Sequence, residues 1–561
     1  MLILGISCFY HDSSACLVRD GDVVAAAQEE RFSREKNTSA FPIQSIRFCL
    51  EQAGITIDQV DHVAYFEKPF LKFSRVLTDH LLEWPLTWDT FRKSMPKWLT
   101  ERLTLPALIE EELEYKGPIS FIKHHLSHAS SAFYPSGFEE AAIITADGVG
   151  EWATFSVGTG HGSSIKIEKE IHYPDSLGLL YTTVTTFLGF HAQGGEGKTM
   201  GLAGYGSPAR FRQAVANILR LNSDGSFSLN PKYFSFRRGK RMWSSAWTDA
   251  FGVPRKRDDP WTEDHYDLAA SVQEAIENVL ILNADILQKK TGLKKLCLAG
   301  GVTLNCVASA KILESTAFDD IFIQPAAGDA GGSVGAALYV YHSLYRKDAR
   351  KPLRHAYLGP EFSKEEIRAS LLRANLPIDE MDETKFLRRV AQALNENKVI
   401  GWFQGRMEFG PRALGNRSIL GNPTSPEMKD ILNLKIKKRE SFRPFAPIVL
   451  EERATEFFDL SIASPYMLLA PKVRSDKRTL LPAITHVDGT ARVQTCNQTS
   501  NPLLRKLIEE FESLSGVPMI INTSFNRNTE PVVATPDQAI DCFLQTQMDL
   551  LAIGPYIVSK P

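Results

Sequence analysis

Ala141-Ala-Ile-Ile-Thr-Ala146, Asp147-Gly-Val-Gly150 and Trp152-Ala-Thr-Phe-Ser-Val157 decide how the chain is read. An apolar run, a glycine turn and a second apolar run predict two antiparallel strands. Gly158-Thr-Gly-His-Gly162 predicts another turn, and Ile165 to Ile171 a third strand. The same meander opens the chain. Leu2 to Ser7 and Ser14 to Val18 are apolar runs, and Arg19-Asp-Gly-Asp22 supplies turn chemistry before Val23 to Ala27. Each meander leads into helices and further strands. After the first come a helix begun near Pro42 and stopped by Gly54, then the strand Val63 to Phe66. After the second come the helix Leu268 to Lys290, the strand Leu296 to Ala299 ending in Gly300-Gly301, and the small-residue helix Ser333 to Tyr345. Two copies of one pattern predict a duplicated α/β core.

The polar run Arg346 to Pro352 marks a border, giving domains 1–352 and 353–561. In the tail, helical segments (Lys364 to Ala374, Lys385 to Asn397), strands (Val399 to Phe403, Pro518 to Ile521) and a helix begun by Thr535-Pro-Asp537 predict a second α/β unit. Two insertions interrupt the first domain. Residues 67–116 are rich in Trp, Phe and Leu, and 210–264 carry the basic patch Arg237-Arg-Gly-Lys-Arg241. Such segments wall an active site or elaborate the surface; the sequence leaves both readings open.

At 561 residues, Lys plus Arg (64) nearly balance Asp plus Glu (66), for a net charge of -2. A nucleic-acid binder shows a basic excess, so no nucleic-acid partner is expected. The seven cysteines are odd in number and lack C-x-x-C spacing, which excludes a disulfide framework and a zinc knuckle and fits a reducing, cytoplasmic setting. The apolar start lacks a basic leader region, and no apolar stretch reaches the roughly 18 residues of a membrane span, so no membrane association is expected.

His124 and His128, spaced i, i+4 after the run Ile119 to Ile122, fall on one face of a helix and suit a divalent metal. A capped helix start would use the same spacing. Asp147 and Asp329, each in a glycine turn, complete an N2O2 set suited to Fe(II), Mn(II) or Zn(II). Gly194 to Thr199 imitates a phosphate loop, but Ala192 replaces the first glycine. The segment before it reads as helix, and Met200 to Gly206 reads as too glycine-rich for the helix that must follow. In the tail, Arg406, Arg412 and Arg417 lie among glycines, followed by Arg439 to Pro447, Asp488 to Gln494 and Asn522 to Asn526. Guanidinium forks and amide loops of this kind bind phosphate, although surface ion pairs would use the same residues.

His-His-Leu-Ser-His-Ala (124–129), Leu-Ala-Gly-Gly-Val-Thr-Leu-Asn (298–305), Glu-Phe-Gly-Pro-Arg-Ala-Leu-Gly (408–415), Phe-Arg-Pro-Phe-Ala-Pro (442–447) and Asn-Thr-Ser-Phe-Asn (522–526) resemble the NodU/CmcH carbamoyltransferases. The resemblance runs from Tyr10-His-Asp12 almost to the end of the chain. It implies an actin-like ATPase-type domain followed by a YrdC-like domain. The latter would make carbamoyladenylate and pyrophosphate from carbamoyl phosphate and ATP with Mg. The former would pass the carbamoyl group to a hydroxyl of a natural product or sugar and release AMP. Position by position, the resemblance implies a metal site at His124, His128, Asp147 and Asp329, usually holding iron, and a general base at His11. It also implies a lysine on the intermediate at Lys36, a nucleotide-contacting loop at Gly301, and a grip on carbamoyl phosphate and ATP by Arg412, Arg443, Arg492, Asn522 and Ser524. A threonylcarbamoyl-type tRNA-modifying enzyme is the alternative, and the near-neutral charge weighs against it. The expected partner is a small-molecule hydroxyl acceptor, with room for a homodimer.

Overall fold

Strand β1 (Leu2–Ser7) runs antiparallel to β2 (Ser14–Arg19), which reverses into β3 (Asp22–Gln28). At that reversal Asp20 and Gly21 both take positive φ, 50° and 80°, the pair of left-handed residues that a two-residue hairpin demands. β4 (His62–Tyr65) and β5 (Ile119–Phe121) extend the sheet in parallel, giving the order β3-β2-β1-β4-β5. The computed structural model describes residues 1–238, 241–528 and 530–560, so Gly239 and Lys240 of the basic patch lie outside the described residues.

The second meander repeats the first. β6 (Glu140–Ala146), β7 (Ala153–His161) and β8 (Ser164–His172) are antiparallel. After a small hairpin in the second insertion, β9 (Leu219–Leu221) with β10 (Phe227–Leu229), come β11 (Lys295–Ala299) and β12 (Asp320–Ile323). These add in parallel to β6, giving β8-β7-β6-β11-β12. Strand order and direction match the first sheet throughout, which is the duplicated α/β topology of an actin-like domain. The central strands are fully enclosed, with Ile3, Leu4, Ile143, Ile144 and Leu296 wholly buried.

The helix His124–Phe133 packs against the helix Ala330–Tyr339. A side chain at Gly335 would stand 1.8 Å from the carbonyl oxygen of Ser127, so only glycine lets these backbones meet. Two readings of the sequence need correction. Gly158 to His161 is strand rather than turn: β7 absorbs these glycines with a bulge at Val157/Gly158, and Gly160 lies against the Phe133 ring. A helix, Glu196–Ala203, forms through Met200-Gly-Leu-Ala despite its glycine. The element before it is the helix Leu177–Phe187, so the segment is not a strand-loop-helix phosphate site.

The chain forms two units. One comprises Met1–Glu29 with Ser39–Leu353, the other Glu30–Thr38 with Arg354–Pro561. The second unit is built on an eight-stranded mixed sheet of β13 (Asp379–Glu380), β14 (Ile400–Phe403), β15 (Arg417–Gly421), β16 (Ala446–Leu450), β17 (Gln494–Cys496), β18 (Met519–Ser524), β19 (Leu550–Ile553) and β20 (Tyr556–Ser559), in the order β13-β20-β19-β14-β15-β18-β16-β17. The helices Glu383–Asn395 and Pro502–Ser515 pack on one another. The segment Glu30–Thr38 is stitched into this unit by side chains. Arg31 donates to the carbonyl of Gly410 (2.9 Å), and Arg34 to those of Val532 (2.7 Å) and Pro531 (2.8 Å).

Candidate metal centre and anion basin

His124 opens its helix immediately after Lys123, and His128 follows one turn later, so both Nε2 atoms face one point, 3.0 Å apart. Asp147 follows the end of β6, and Asp329 stands at the start of the helix Ala330–Tyr339. Asp147 Oδ2 lies 3.1 Å from His124 Nε2 and 3.8 Å from His128 Nε2, and Asp329 Oδ1 lies 3.6 and 3.7 Å from the same two atoms. Four donors held about 2.1 Å from one ion in a tetrahedron stand roughly 3.4 Å apart, the middle of this range. All four residues are buried.

The donor set fits a divalent cation on a second ground. Both carboxylate oxygens of Asp329 are buried without a hydrogen-bond partner, and so are Nδ1 of His124 and of His128. An unmatched buried carboxylate is costly, and a cation at the shared point would satisfy it. Burial works to raise the Asp147 carboxyl, but bonds from His124 and His128 hold it well below the usual range. Burial likewise disfavours charge on His128, yet Asp147 and Asp329 outweigh it and push the imidazole up to about 9.

His11 lies at the rim, with Nε2 3.8 Å from Asp329 Oδ2 and Nδ1 2.9 Å from Asp12. Gly301 is drawn in too: its N–H donates to Asp147 Oδ1 over 2.8 Å, so this loop fixes the carboxylate. His125 points elsewhere, to Thr145 Oγ1 at 2.6 Å.

In the second unit the arginines divide into two sets. Arg417 is wholly buried; it donates to the carbonyls of Gln404, Asn416, Pro360 and Gly405 and lies 3.7 Å above the Phe403 ring. Arg406 donates to the carbonyls of Gly359 and Leu358. Both were read from sequence as phosphate forks, and both instead hold loops together. The other set is Arg439, Arg443 and Arg492, close enough to repel one another. Burial, then Arg443 and Arg492, depresses Arg439 strongly; burial also lowers Arg443, which has Glu440 3.9 Å away. Lys437, which is buried, is lowered by burial and then by Arg439, with smaller contributions from Arg443 and Lys36. Mutually repelling cations, three half-buried and one buried, make a basin for an anion.

Lys437 Nζ donates to the carbonyls of Ser524 and Asn526 and to Asn526 Oδ1. Asn522 Nδ2 donates to Gln494 Oε1 over 3.1 Å, and Gln494 Nε2 to the carbonyl of Leu414 over 2.8 Å. Asn522, Ser524, Arg443 and Arg492 therefore belong to one neighbourhood, and the loop carrying the half-buried Arg412 is bonded into it. Sequence reading missed Lys437, because Lys-Ile-Lys-Lys-Arg (435–439) looks like a solvated charge run.

The chain is thus an α/β protein of two units, with a buried His2Asp2 centre on the duplicated core and a cationic basin on the mixed sheet, a combination suited to group transfer from an anionic donor. Models of the carbamoyltransferase N-terminus and C-terminus match residues 2–338 and 391–560, and the chain belongs to the carbamoyltransferase family. It is 40% identical to the nodulation protein NolNO of Sinorhizobium fredii over 98% of this chain and 79% of that one. It is 41% identical to NolO of Bradyrhizobium diazoefficiens over 78% and 79%, and 44% identical to an uncharacterised Synechocystis protein over 100% and 96%. Among solved structures, HypF of T. kodakarensis aligns with 62% of this chain and 48% of its own at 12% identity and a TM-score of 0.34. No helix among the described residues is long and apolar enough to cross a membrane.

Proposed function

We propose that in the second unit of this carbamoyltransferase water cleaves carbamoyl phosphate to carbamate and phosphate, and that the carbamate oxygen attacks the α-phosphorus of ATP, forming carbamoyladenylate and releasing pyrophosphate. The carbamoyl group of the resulting carbamoyladenylate then passes to a hydroxyl of a small natural product or sugar at the His2Asp2 centre, and AMP leaves. The observation that carries the reading is the cluster of Arg439, Arg443 and Arg492, three mutually repelling cations with the single carboxylate of Glu440 beside Arg443 as a partial counter-charge. Carbamoyl phosphate and the triphosphate repel each other in water; guanidinium forks offset that repulsion and hold the two in line.

His124, His128, Asp147 and Asp329 would hold Fe(II), with Mn(II) and Zn(II) also matched by the donors. When bound, such an ion supplies Lewis acidity toward a carbonyl or phosphate oxygen. His11 takes the proton of the attacking hydroxyl at Nε2, with Nδ1 held by Asp12. Burial disfavours charge on His11, but Asp329, Asp12 and Asp147 together outweigh it and push the imidazole up to about 9 in the metal-free chain; neutralising Asp329 with a cation would return it toward the neutral, proton-accepting form. Gly301 orients Asp147, and Lys36 contacts the activated carbamoyl group.

The test separates the half-reactions. Purified protein with ATP, Mg and carbamoyl phosphate should form pyrophosphate without acceptor, and an acceptor should gain the mass of one carbamoyl group. Absence of pyrophosphate from folded protein, with carbamoyl phosphate intact, overturns the reading.

A further inference from the structure

The turn that supplies Asp147 ends four residues later in Glu151, a carboxylate 6% exposed that the reaction itself does not use. Glu151 Oε1 accepts the backbone N–H of His124 (3.0 Å) and that of Lys68 (2.8 Å), and Oε2 lies 3.2 Å from the His124 nitrogen. The first is the opening N–H of the helix His124–Phe133, and the second is that of Lys68, the cap residue immediately before the helix Pro69–Leu82. Neither helix has a side-chain cap of its own, since Lys123 and Lys68 occupy the cap positions without one. One carboxylate therefore caps the helix bearing both histidines and the first helix of the aromatic insertion. Its negative charge lies where both helix ends are positive.

The imidazoles need such support. A metal-binding histidine ordinarily has its remote ring nitrogen fixed by a carboxylate or carbonyl. Here Nδ1 of His124 and Nδ1 of His128 are buried with no hydrogen-bond partner, so the ring directions must be fixed from the backbone and by packing. The Asp147–Glu151 turn does both. Gly150 presses on His124 so closely that a side chain there would meet its Cβ and Cδ2 at 2.9 Å. At the far end of the same residue, Asp147 Oδ2 meets Nε2 at 3.1 Å. His124 is gripped at backbone, ring face and ring tip by five consecutive residues. Arg75 braces the turn by donating from Nε to the Glu151 carbonyl over 2.6 Å.

We infer that Glu151 is a positioning residue for the metal centre. By capping the histidine helix it fixes the direction of His124 Nε2, and by capping the insertion's first helix it ties that wall to the same point. The inference rests on the metal-centre reading, so wild-type protein is the first arm of its test. Chelator-treated protein is titrated with Co(II), whose visible absorption reports four-coordinate geometry, in parallel with Glu151→Gln and Glu151→Ala. The melting temperature of each metal-free protein is measured alongside.

Wild type should take up one Co(II) per chain with a four-coordinate spectrum. Glu151→Ala should melt within a few degrees of wild type when metal-free, yet bind Co(II) about 10- to 100-fold more weakly with altered bands. Glu151→Gln keeps an acceptor oxygen for both N–H groups and should stay within a few-fold of wild type. No Co(II) uptake by wild type would sink the metal centre itself. Wild-type uptake with an unchanged Glu151→Ala affinity and spectrum would overturn the role of Glu151 alone, as would a Gln variant as weak as Ala. Should the Ala variant not fold, Glu151→Asp, too short to reach both helices, carries the same test: at least tenfold weaker Co(II) binding supports the role, and unchanged binding overturns it.

Discussion

Asn522 donates from Nδ2 to the carbonyl oxygen of Ala413 across 2.9 Å, tying strand β18 to the loop that carries Arg412. The same amide reaches Gln494, two residues beyond Arg492, and its own Oδ1 is buried without a protein partner. Asn522→Ala should unhook both arginine loops together. The expected result is a 10- to 100-fold fall in kcat/KM for carbamoyl phosphate in pyrophosphate release, with stability lowered by about 1–3 kcal/mol for the bonds left unmade. Steady-state kinetics alongside urea unfolding check both parts.

The division among the arginines gives a paired comparison. Arg417→Met strips four carbonyl oxygens of their donor in a buried site and should destabilise the protein by about 3 kcal/mol or more. Arg443→Ala should fold with near-normal stability, since it removes one of three crowded cations, and lose about 10²- to 10³-fold in pyrophosphate formation. Thermal unfolding and single-turnover assays should rank the two variants in opposite orders.

Lys437 sets a pH signature. Burial, and then Arg439, holds its ammonium well below the usual lysine value in the ligand-free chain. An anion entering the basin favours the charged form, so its pKa rises on binding. Between the two values, binding takes up a proton, and affinity falls as pH rises through that window. Titration calorimetry with pyrophosphate in buffers of different ionisation heat should report proton uptake, and Lys437→Met should abolish it.

Asp329 makes the metal's effect on stability readable. A cation present at 1,000 times its Kd stabilises by about 4 kcal/mol. Wild type should therefore melt several degrees higher with Mn(II) or Zn(II) than with chelator. Asp329→Asn removes the carboxylate that His11 and His128 face, so it should melt lower than wild type in chelator, and it should also lose the metal-dependent rise. Calorimetric scans of both proteins, with and without metal, decide it.

The duplicated core was readable because its strands are apolar runs broken by turn residues that can adopt positive φ, as Asp20 and Gly21 do. Asp147 and Asp329 were readable because each sits in a glycine turn at the boundary of an apolar element. Arg417 was misread because a fork aimed at carbonyls and a fork aimed at phosphate look alike in sequence. The difference lies in Phe403 and the strand edge around it, which only folding brings together. Glu151 was missed for a related reason: both N–H groups it satisfies belong to segments distant in the chain, and backbone donors leave no mark in sequence. The segment Glu30–Thr38 escaped notice because its allegiance is set by arginines meeting main-chain oxygens about 380 and 500 positions away.

That segment changes how the polypeptide can be taken apart. A fragment beginning at Arg354 would lack nine residues of its own unit, and with them the donors for the oxygens of Gly410, Pro531 and Val532. The frontier between the halves is a threaded one, crossed by the backbone three times. Severing it with one cut leaves each piece carrying a scar, so workers who want the second unit alone would have to graft this short loop back onto it.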